Sequence, residues 1–593
     1  MTTMKSFTRL LTPFSHPLVH SPLALAVILV IGLRLGPATY WGFLVTLTLL
    51  YAIAALGLNI PGGFLGALTM GQGAVFAIGA YVSAILTAHY GLPIMVTVPV
   101  SFLAGGLVGL LMAAPAARLD KLGLGMVTLG LTIIVGDIAT NLSITGGPNG
   151  LTVPPVALIL GGRVVGPDGI YALIAFTAVL TYVGHWYLRL SNFGRSALAT
   201  KSDQLAATAF GMNTYWLQVL GFSIGSALGA LGGGFYGYVE GFVSPGSFGA
   251  DLSVLFLLMI LFGGAGSRVG PVLGIVVIGI LPLVLTRYPS INIYVDGALL
   301  IVVMRFMPRG ICARSYAPVR SRKRLRVHLA PAEPPPAETP PGHATAGAWP
   351  RSVGHDLLVL DQVSRSFGGV LALDKVDIEL TRGQVMAVVG PNGSGKTTLM
   401  NVICGYYPAQ SGSILLTGRP IQQRRPAAIA RMGVARTFQV PKTFRELSID
   451  EHVALAEHYA DPEGDPRLAM LADSFLREVG IVGAAKVRGP RELDHGHLRF
   501  LEIGNAIARR PRLLLLDEPA AGLSSTEIER LLQLITDVTA IGSSVMLVEH
   551  HLDLVCDVAD TVVVMHLGKE LWHGEPGQLR QSDLVREAYL GAG

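Results

Sequence analysis

The stretch Gly390-Pro391-Asn392-Gly393-Ser394-Gly395-Lys396-Thr397-Thr398 has the spacing G-x-x-x-x-G-K-[ST]. An apolar run at 385–389 precedes it and another at 399–403 follows, which indicates a buried strand, a loop and the start of a helix. Glycines let the backbone wrap around phosphates, and the N–H groups of the helix N-terminus face the anion. Lys396 is expected to reach the β- and γ-phosphates, and the Thr397 hydroxyl is expected to hold Mg²⁺. The stretch therefore predicts an ATP or GTP site in an α/β P-loop domain over 356–593.

A pair of acids lies downstream of this phosphate loop. The apolar run at 513–516 reads as a strand, and it ends in Asp517 and Glu518. After a phosphate loop, this arrangement places one carboxylate near Mg²⁺ and a second near the attacking water. We expect Asp517 to contact the metal and Glu518 to act as the general base.

The N-terminal half has a different composition. The chain has 593 residues, of which only 14% are charged, and its mean hydropathy is +0.54. Residues 23 to 307 are mostly apolar, which is typical of a polytopic all-α membrane domain. We count ten candidate spans, near 23–40, 41–60, 64–88, 92–116, 124–144, 170–188, 215–239, 252–266, 269–286 and 291–307. The glycines at 105–106 and 232–234 predict close helix packing.

The distribution of basic residues orients these spans. With ten spans, most arginines and lysines of the loops fall on the same side as the basic cluster at 314–326, which predicts that both termini are cytoplasmic. Nucleic-acid binding is the alternative interpretation of that cluster. The chain then divides into a membrane domain over 1–310, a linker over 311–355 that is first basic and then Pro-rich, and the nucleotide domain. The linker composition is typical of an extended tether.

Few ionisable residues lie within the candidate spans. Asp137, His185, Glu240 and Asp296 are the candidates. Such groups mark a transport pathway or an interior pairing, or they simply lie near the ends of spans. The loop over 194–213 is Ala-rich and polar, which predicts a short cytoplasmic helix that Gly211 ends.

Five stretches of the membrane half resemble the permeases of bacterial branched-chain amino acid ABC importers. The resemblance lies at 51–59, 76–81, 145–151, 241–248 and 262–271. It implies a type II importer-like permease, with the coupling helix at about 194–213. Gln72 stands where this family commonly has histidine, so the range of transported solutes could differ if this region lines the pathway.

The C-terminal half resembles ABC ATPases. The resemblance implies that Phe367 stacks on adenine, that Gln439 touches Mg²⁺ and the attacking water, and that His550 contacts the γ-phosphate, with His551 as its neighbour. Ser524 stands in the D-loop, where aspartate or asparagine is common. The signature motif departs most from the family pattern. Asp494 stands where the family has the serine that contacts the γ-phosphate of the partner's nucleotide. The motif reads Leu493, Asp494, His495, Gly496 and His497.

Together, these resemblances imply an ATP-driven importer in the bacterial inner membrane, with ATP and Mg²⁺ as cofactors. The chain would be half of a transporter and would need a second permease and ATPase, as homologous subunits or a second copy, and a separate solute-binding protein; no nucleic acid is implied. A carboxylate at Asp494 predicts one strong and one weak ATP site. Urea, amides or aromatic acids are alternative cargoes. An ABC exporter or a regulatory membrane ATPase is an alternative function.

Overall fold

The computed structural model describes residues 38–116, 119–159, 162–267, 270–279, 356–482 and 489–579, with the isolated positions 36, 298, 301, 305 and 310. The chain forms two compact units. The first takes in the residues up to Lys201 and from Thr214 to Ala317. The second takes in Ser202–Asn213 and the chain from Pro318 onward. The linker predicted over 311–355 lies outside the described residues.

Ten α-helices and two short strands lie before residue 280 in the described part of the chain. Strands β1 (Leu151–Thr152) and β2 (Phe242–Val243) pair antiparallel. The helices are α1 (Tyr40–Leu58), α2 (Gln72–Tyr90), α3 (Ile94–Ala116), α4 (Lys121–Asn141), α5 (Pro167–Leu190), α6 (Asn192–Ser202), α7 (Gln204–Ala209), α8 (Thr214–Glu240), α9 (Ala250–Gly263) and α10 (Gly270–Gly274).

Seven helical segments in the described residues are long and apolar enough to cross a membrane. They correspond to seven of the ten predicted spans, and their bounds are Tyr40–Phe64, Gln72–Tyr90, Ile94–Ala116, Leu122–Asn141, Pro167–Leu190, Thr214–Glu240 and Pro245–Gly263. A shorter apolar segment, Gly270–Gly279, lies within the predicted span 269–286. The predicted spans at 23–40 and 291–307 lie largely outside the described residues.

The longest of these helices, α8, packs closely against its neighbours through glycines. A Cβ atom on Gly233 would lie 1.9 Å from the Phe76 carbonyl oxygen, and one on Gly105 would lie 2.3 Å from the Ala230 Cβ atom. Any side chain at either position would push the backbones of α2 or α3 away from α8. The close packing predicted from these glycines is therefore present.

One of the predicted ionisable candidates, His185 of α5, is buried and pairs inside the first unit. His185 is 2% exposed, and its Nε2 atom accepts from the Asn59 amide at 2.9 Å. Asn59 begins a π-helical turn, Asn59–Phe64, that follows α1, and its Oδ1 atom accepts from the Gly266 N–H at 2.8 Å. Of the other candidates, Asp137 and Glu240 are exposed near helix ends, and Asp296 lies outside the described residues.

Gln72 is also buried, at the first position of α2. Its Nε2 atom donates to the Ala54 carbonyl at 2.8 Å and to the Gly225 carbonyl at 3.5 Å. Both amide hydrogens therefore bind helix backbone, so the side chain joins α1, α2 and α8.

The segment predicted as one helix over 194–213 is two helices. Helix α6 ends at Ser202 and α7 begins at Gln204, because Asp203 adopts an extended conformation (φ −156°, ψ 111°). Its carboxylate accepts from the Ala206 N–H at 2.8 Å, so it caps α7. Gly211, at φ +87°, follows the end of α7 as predicted.

The second unit contains two sheets. An antiparallel sheet has the order β4-β3-β6-β7, and a mainly parallel sheet has the order β12-β11-β5-β10-β9-β8. The strands are β3 (Asp356–Phe367), β4 (Val370–Thr381), β5 (Val385–Val389), β6 (Ser411–Leu416), β7 (Arg419–Pro420), β8 (Val434–Arg436), β9 (Leu513–Asp517), β10 (Ser544–Val548), β11 (Thr561–His566) and β12 (Lys569–Gly574).

Helices flank the parallel sheet. Strands β5, β9 and β10 are buried along their whole length, as expected of parallel strands covered on both faces. Because β5, β8, β9 and β10 run parallel, the residues that follow them meet at one edge. The helices are α11 (Lys396–Ile403), α12 (Pro426–Ala430), α13 (Ile449–His458), α14 (Pro466–Glu478), α15 (His495–Ala508), α16 (Ser525–Ile541), α17 (Leu552–Val558) and α18 (Pro576–Leu579).

Candidate nucleotide site

The phosphate loop joins β5 to α11, as the sequence predicts. Gly390, Gly393 and Gly395 have φ angles of +147°, +81° and +105°, which L side chains rarely adopt. A Cβ atom on Gly390 would lie 2.2 Å from the Met565 carbonyl oxygen. Glycine is therefore required at Gly390 by both conformation and space, and the loop keeps its N–H groups free of covering side chains. Of the remaining loop positions, Pro391 is half-buried, Asn392 is exposed and Ser394 is buried.

Lys396 lies against the inside of this loop. Its Nζ atom donates to the carbonyls of Gly390 at 2.7 Å and Pro391 at 2.9 Å. Burial lowers the pKa of Lys396, while the charges of Glu518 and Asp517 oppose that shift. Thr397 is exposed and Thr398 is half-buried on the first turn of α11. Lys396 and Thr397 are the first two residues of α11 and directly follow the loop.

The three predicted catalytic side chains meet at the edge of the parallel sheet. Glu518 follows β9, and its Oε2 atom accepts from the Gln439 amide at 2.9 Å. The Nε2 atom of His550, which follows β10, lies 2.8 Å from the Glu518 Oε1 atom. The neighbouring His551 is instead the exposed N-cap residue of α17. The structure therefore brings His550, and not His551, to the carboxylate.

Asp517 is bound by Arg436, a buried arginine whose role was not predicted from the sequence. Its carboxylate accepts from the Arg436 Nη2 atom at 3.2 Å, and both side chains are nearly inaccessible to solvent. The Arg436 Nη1 atom donates to the Asn401 Oδ1 atom of α11 at 2.6 Å. Arg436 therefore ties the end of β9 to the phosphate-loop helix. Arg436 is the last residue of β8. Nothing in the neighbouring sequence indicates that its side chain binds Asp517.

Phe367 is the last residue of β3. A turn at Gly368 and Gly369 leads into β4, where the Ala372 carbonyl oxygen lies 2.5 Å from a Cβ atom built on Gly395. The Phe367 side chain is 38% exposed. The Arg365 guanidinium lies 4.8 Å from the centroid of the ring, and Tyr407 packs edge-to-face at 4.9 Å. The ring is therefore accessible and fixed in orientation.

The signature stretch forms the start of α15. Asp494 is the N-cap residue, and its Oδ1 atom accepts from the His497 N–H at 2.9 Å and lies 2.6 Å from the His497 Nδ1 atom. These hydrogen bonds lower the pKa of Asp494, so the carboxylate stays ionised and is not neutralised by protonation. Gly496 is buried against Glu527, and Leu493 precedes the cap. His495 lies beside Gly522, since a Cβ atom built on Gly522 would be 3.2 Å from the Nδ1 atom of the His495 imidazole.

Helix α7 and its flanking residues are bound within the second unit. Asp203 pairs with Lys442 at 2.6 Å. Two arginines, Arg509 and Arg431, donate to the carbonyls of Ala209 at 2.7 Å and Gly211 at 2.9 Å. The segment that the sequence resemblance implies to be a coupling helix is therefore bound near both ends by side chains from the chain after residue 355.

Comparison with known proteins gives two domain matches. Residues 40–307 match the family model described as the branched-chain amino acid transport system permease component. Residues 373–521 match the family model described as ABC transporter. The first match begins at the first residue of α1, and the second contains the phosphate loop and both acids.

Two relatives extend the second match. The high-affinity branched-chain amino acid transport ATP-binding protein LivG of Escherichia coli is 34% identical over 250 residues, which cover 40% of this chain and 98% of the relative. The corresponding protein BraF of Pseudomonas aeruginosa is 37% identical over 250 residues, again 40% of this chain and 98% of the relative. Both relatives are ATP-binding proteins, whereas this chain also carries a permease match.

Proposed function

Because the chain belongs to the family of ABC transporters for branched-chain amino acids, with a permease domain and an ATP-binding domain in one polypeptide, we propose that it drives import of leucine, isoleucine or valine by hydrolysing ATP. The observation that carries the proposal is the Glu518 carboxylate, held between Gln439 and His550 beside a phosphate loop. The names of the relatives support the cargo.

We assign the hydrolytic roles from this geometry. Glu518 takes the proton of the attacking water, since a carboxylate that accepts a hydrogen bond from Gln439 and lies beside His550 is suitably placed to act as a general base. Gln439 orients that water, and His550 donates to the γ-phosphate. Lys396 offsets the charge of the β- and γ-phosphates, and Phe367 stacks on the adenine ring.

The donor set suits Mg²⁺. Hard oxygen ligands are those that Mg²⁺ prefers, and Thr397, Gln439 and Asp517 offer a hydroxyl, an amide and a carboxylate. When bound, the metal neutralises charge that develops on the phosphates. The salt bridge from Arg436 keeps the Asp517 carboxylate at the end of β9 and fixes its orientation.

The chain supplies one permease and one ATPase, so we propose that it works as half of an assembly. The other half is a second permease and ATPase, and a separate solute-binding protein delivers the cargo. In such an assembly, α15 of one ATPase closes over the nucleotide of the other. The ionised Asp494 then repels the γ-phosphate of that nucleotide, which supports one strong and one weak ATP site.

We propose a domain division at 1–310, 311–355 and 356–593, with the chain in the cytoplasmic membrane of a bacterium. Lipid surrounds the first domain, and both termini and the ATPase lie in the cytoplasm. The asymmetry of basic residues supports this orientation.

The test of cargo uses the solute-binding protein that works with this chain. Its melting temperature is measured with leucine, valine, urea, short amides and aromatic acids. We expect leucine or valine to raise it and to stimulate ATP turnover by the assembled transporter. Stabilisation by urea or aromatic acids alone would overturn the cargo and keep the import mechanism.

A further inference from the structure

We infer that Arg499 and Glu502, one turn apart on α15, position Gln439 against Glu518 and thereby set the rate of ATP hydrolysis. The inference rests on the roles proposed above for Gln439 and Glu518. Neither Arg499 nor Glu502 touches the phosphate loop in the described contacts, so both are positioning residues.

Both side chains of α15 form hydrogen bonds with one short stretch of backbone, residues 438–442. The Arg499 guanidinium donates to the carbonyls of Phe438 and Gln439. The Glu502 Oε1 atom accepts from the N–H groups of Phe438 at 3.2 Å and Lys442 at 3.0 Å. The pair is closed by a contact of 3.2 Å between the Arg499 Nη1 and Glu502 Oε2 atoms. Both polar groups of Phe438 are therefore held by α15.

Both side chains are buried, which strengthens their hydrogen bonds to the 438–442 backbone. Arg499 is completely buried and Glu502 is 4% exposed. An ion pair taken out of water keeps its charges only where hydrogen bonds satisfy them, and removing one partner leaves a buried charge uncompensated. Here the backbone of 438–442 supplies those hydrogen bonds. The hydrogen bonds of Arg499 and Glu502 and the conformation of this loop therefore depend on each other.

The backbone that Arg499 and Glu502 bind includes Gln439, whose side chain contacts the proposed general base, Glu518. Gln439 is the residue whose carbonyl Arg499 binds, and its side-chain amide lies 2.9 Å from the Glu518 Oε2 atom. Rotating the 438–439 peptide would swing this amide away from the carboxylate. Displacements of about 1 Å in a catalytic group can lower turnover roughly a hundredfold.

Through Lys442, Glu502 is also connected to the segment that includes α7. Glu502 holds the N–H group of Lys442, whose ammonium group pairs with the Asp203 cap at 2.6 Å. The five residues 438–442 thus carry contacts to α15, to the Asp203 cap of α7 and to Glu518. A shift of either helix reaches Gln439 through this loop.

The test measures ATP turnover and the KM for ATP of the full-length chain, co-purified with its partner subunits in lipid nanodiscs. The variants are R499K, Q439A and the double variant; R499K keeps the charge and loses the planar fork. We expect R499K to lower kcat by about tenfold or more, with KM within about twofold. In the Q439A background, R499K should change kcat by less than about twofold, because it acts through Gln439.

The matched control is R477K, which alters an exposed arginine that pairs with Asp473 at 2.8 Å on α14 and should leave kcat unchanged. If R499K does not fold, E502Q takes its place with the same expectations. Equal losses of kcat from R499K in both backgrounds would overturn the inference alone. An unchanged kcat in Q439A would overturn the site assignment as well.

Discussion

At the scale of single residues, the proposed chemistry depends on Glu518. It is a non-glycine residue at φ +46°, a conformation that costs free energy and is found at functional sites. Its N–H group donates to the Val548 carbonyl at 2.9 Å, which fixes the backbone between β9 and β10. Both carboxylate oxygens then face partners from neighbouring strand ends.

The substitution E518Q should lower ATP turnover about a hundredfold or more, because the amide cannot accept the proton of water. Binding of a fluorescent ATP analogue should stay within about twofold, since the phosphate loop is unchanged. The surface variant E529Q on α16 serves as the control and should keep normal turnover. Normal turnover by E518Q would show that the general base lies elsewhere.

The phosphate loop and the pair of acids could be predicted from the sequence, because their chemistry requires particular residue types at particular spacings, whereas Gln439 and His550 followed from the resemblance to ABC ATPases. Arg436, Arg499 and Glu502 could not. Each acts by reaching backbone or a carboxylate far away in sequence, and burial of a charged side chain leaves no mark in a local pattern.

At the scale of elements, the start of α15 is the part of the chain that we propose to contact the partner's nucleotide. Asp494 has two separable properties, since it caps the helix and also presents a negative charge. Serine would keep the cap and remove the charge, whereas alanine would remove both. The two substitutions therefore separate helix stability from electrostatic repulsion.

We expect D494S to raise ATP turnover by the assembled transporter, because the repelling carboxylate is replaced by a hydroxyl that can donate to the phosphate. D494A should cost about 1 kcal/mol of stability through loss of the cap. Turnover and melting temperature of both variants are measured side by side. Unchanged turnover in D494S would argue against two unequal sites.

Further along α15, burial raises the pKa of Glu502 from 4.5 to about 7. The folded chain therefore holds a proton that the unfolded chain releases between these values. The contribution of this group to stability is complete below pH 4.5 and declines as pH rises through 7. E502Q carries no such proton.

The melting temperature of E502Q minus that of the unaltered chain should therefore increase between pH 5.5 and pH 8. Differential scanning fluorimetry of the full-length chain in detergent measures it. Melting curves that keep a constant difference over this range would show that Glu502 does not titrate there.

Elements differ in how well the sequence predicts them. The apolar spans and the strand before the phosphate loop follow from composition and period, and seven described spans agree. The break between α6 and α7 was not predicted. Asp203 interrupts an Ala-rich stretch of high helix propensity, because its side chain caps the next helix and binds Lys442, a contact made far away in sequence.

At the scale of the whole molecule, one polypeptide carries both a permease match and an ATPase match. Helix α5 separates Pro148 from Ser202, and it is long and apolar enough to span a bilayer. Reporter fusions at these two positions should therefore report opposite sides of the membrane, with Ser202 cytoplasmic. Reports from the same side would contradict the proposed topology.

The measurement that most directly tests the central claim is uptake of radiolabelled leucine by proteoliposomes containing the assembled transporter, with its solute-binding protein outside and ATP enclosed. We predict that leucine accumulates only with enclosed ATP and that E518Q, present at the same level, abolishes accumulation. Equal leucine uptake by E518Q, or uptake without ATP, would contradict the claim that this chain couples ATP hydrolysis to import.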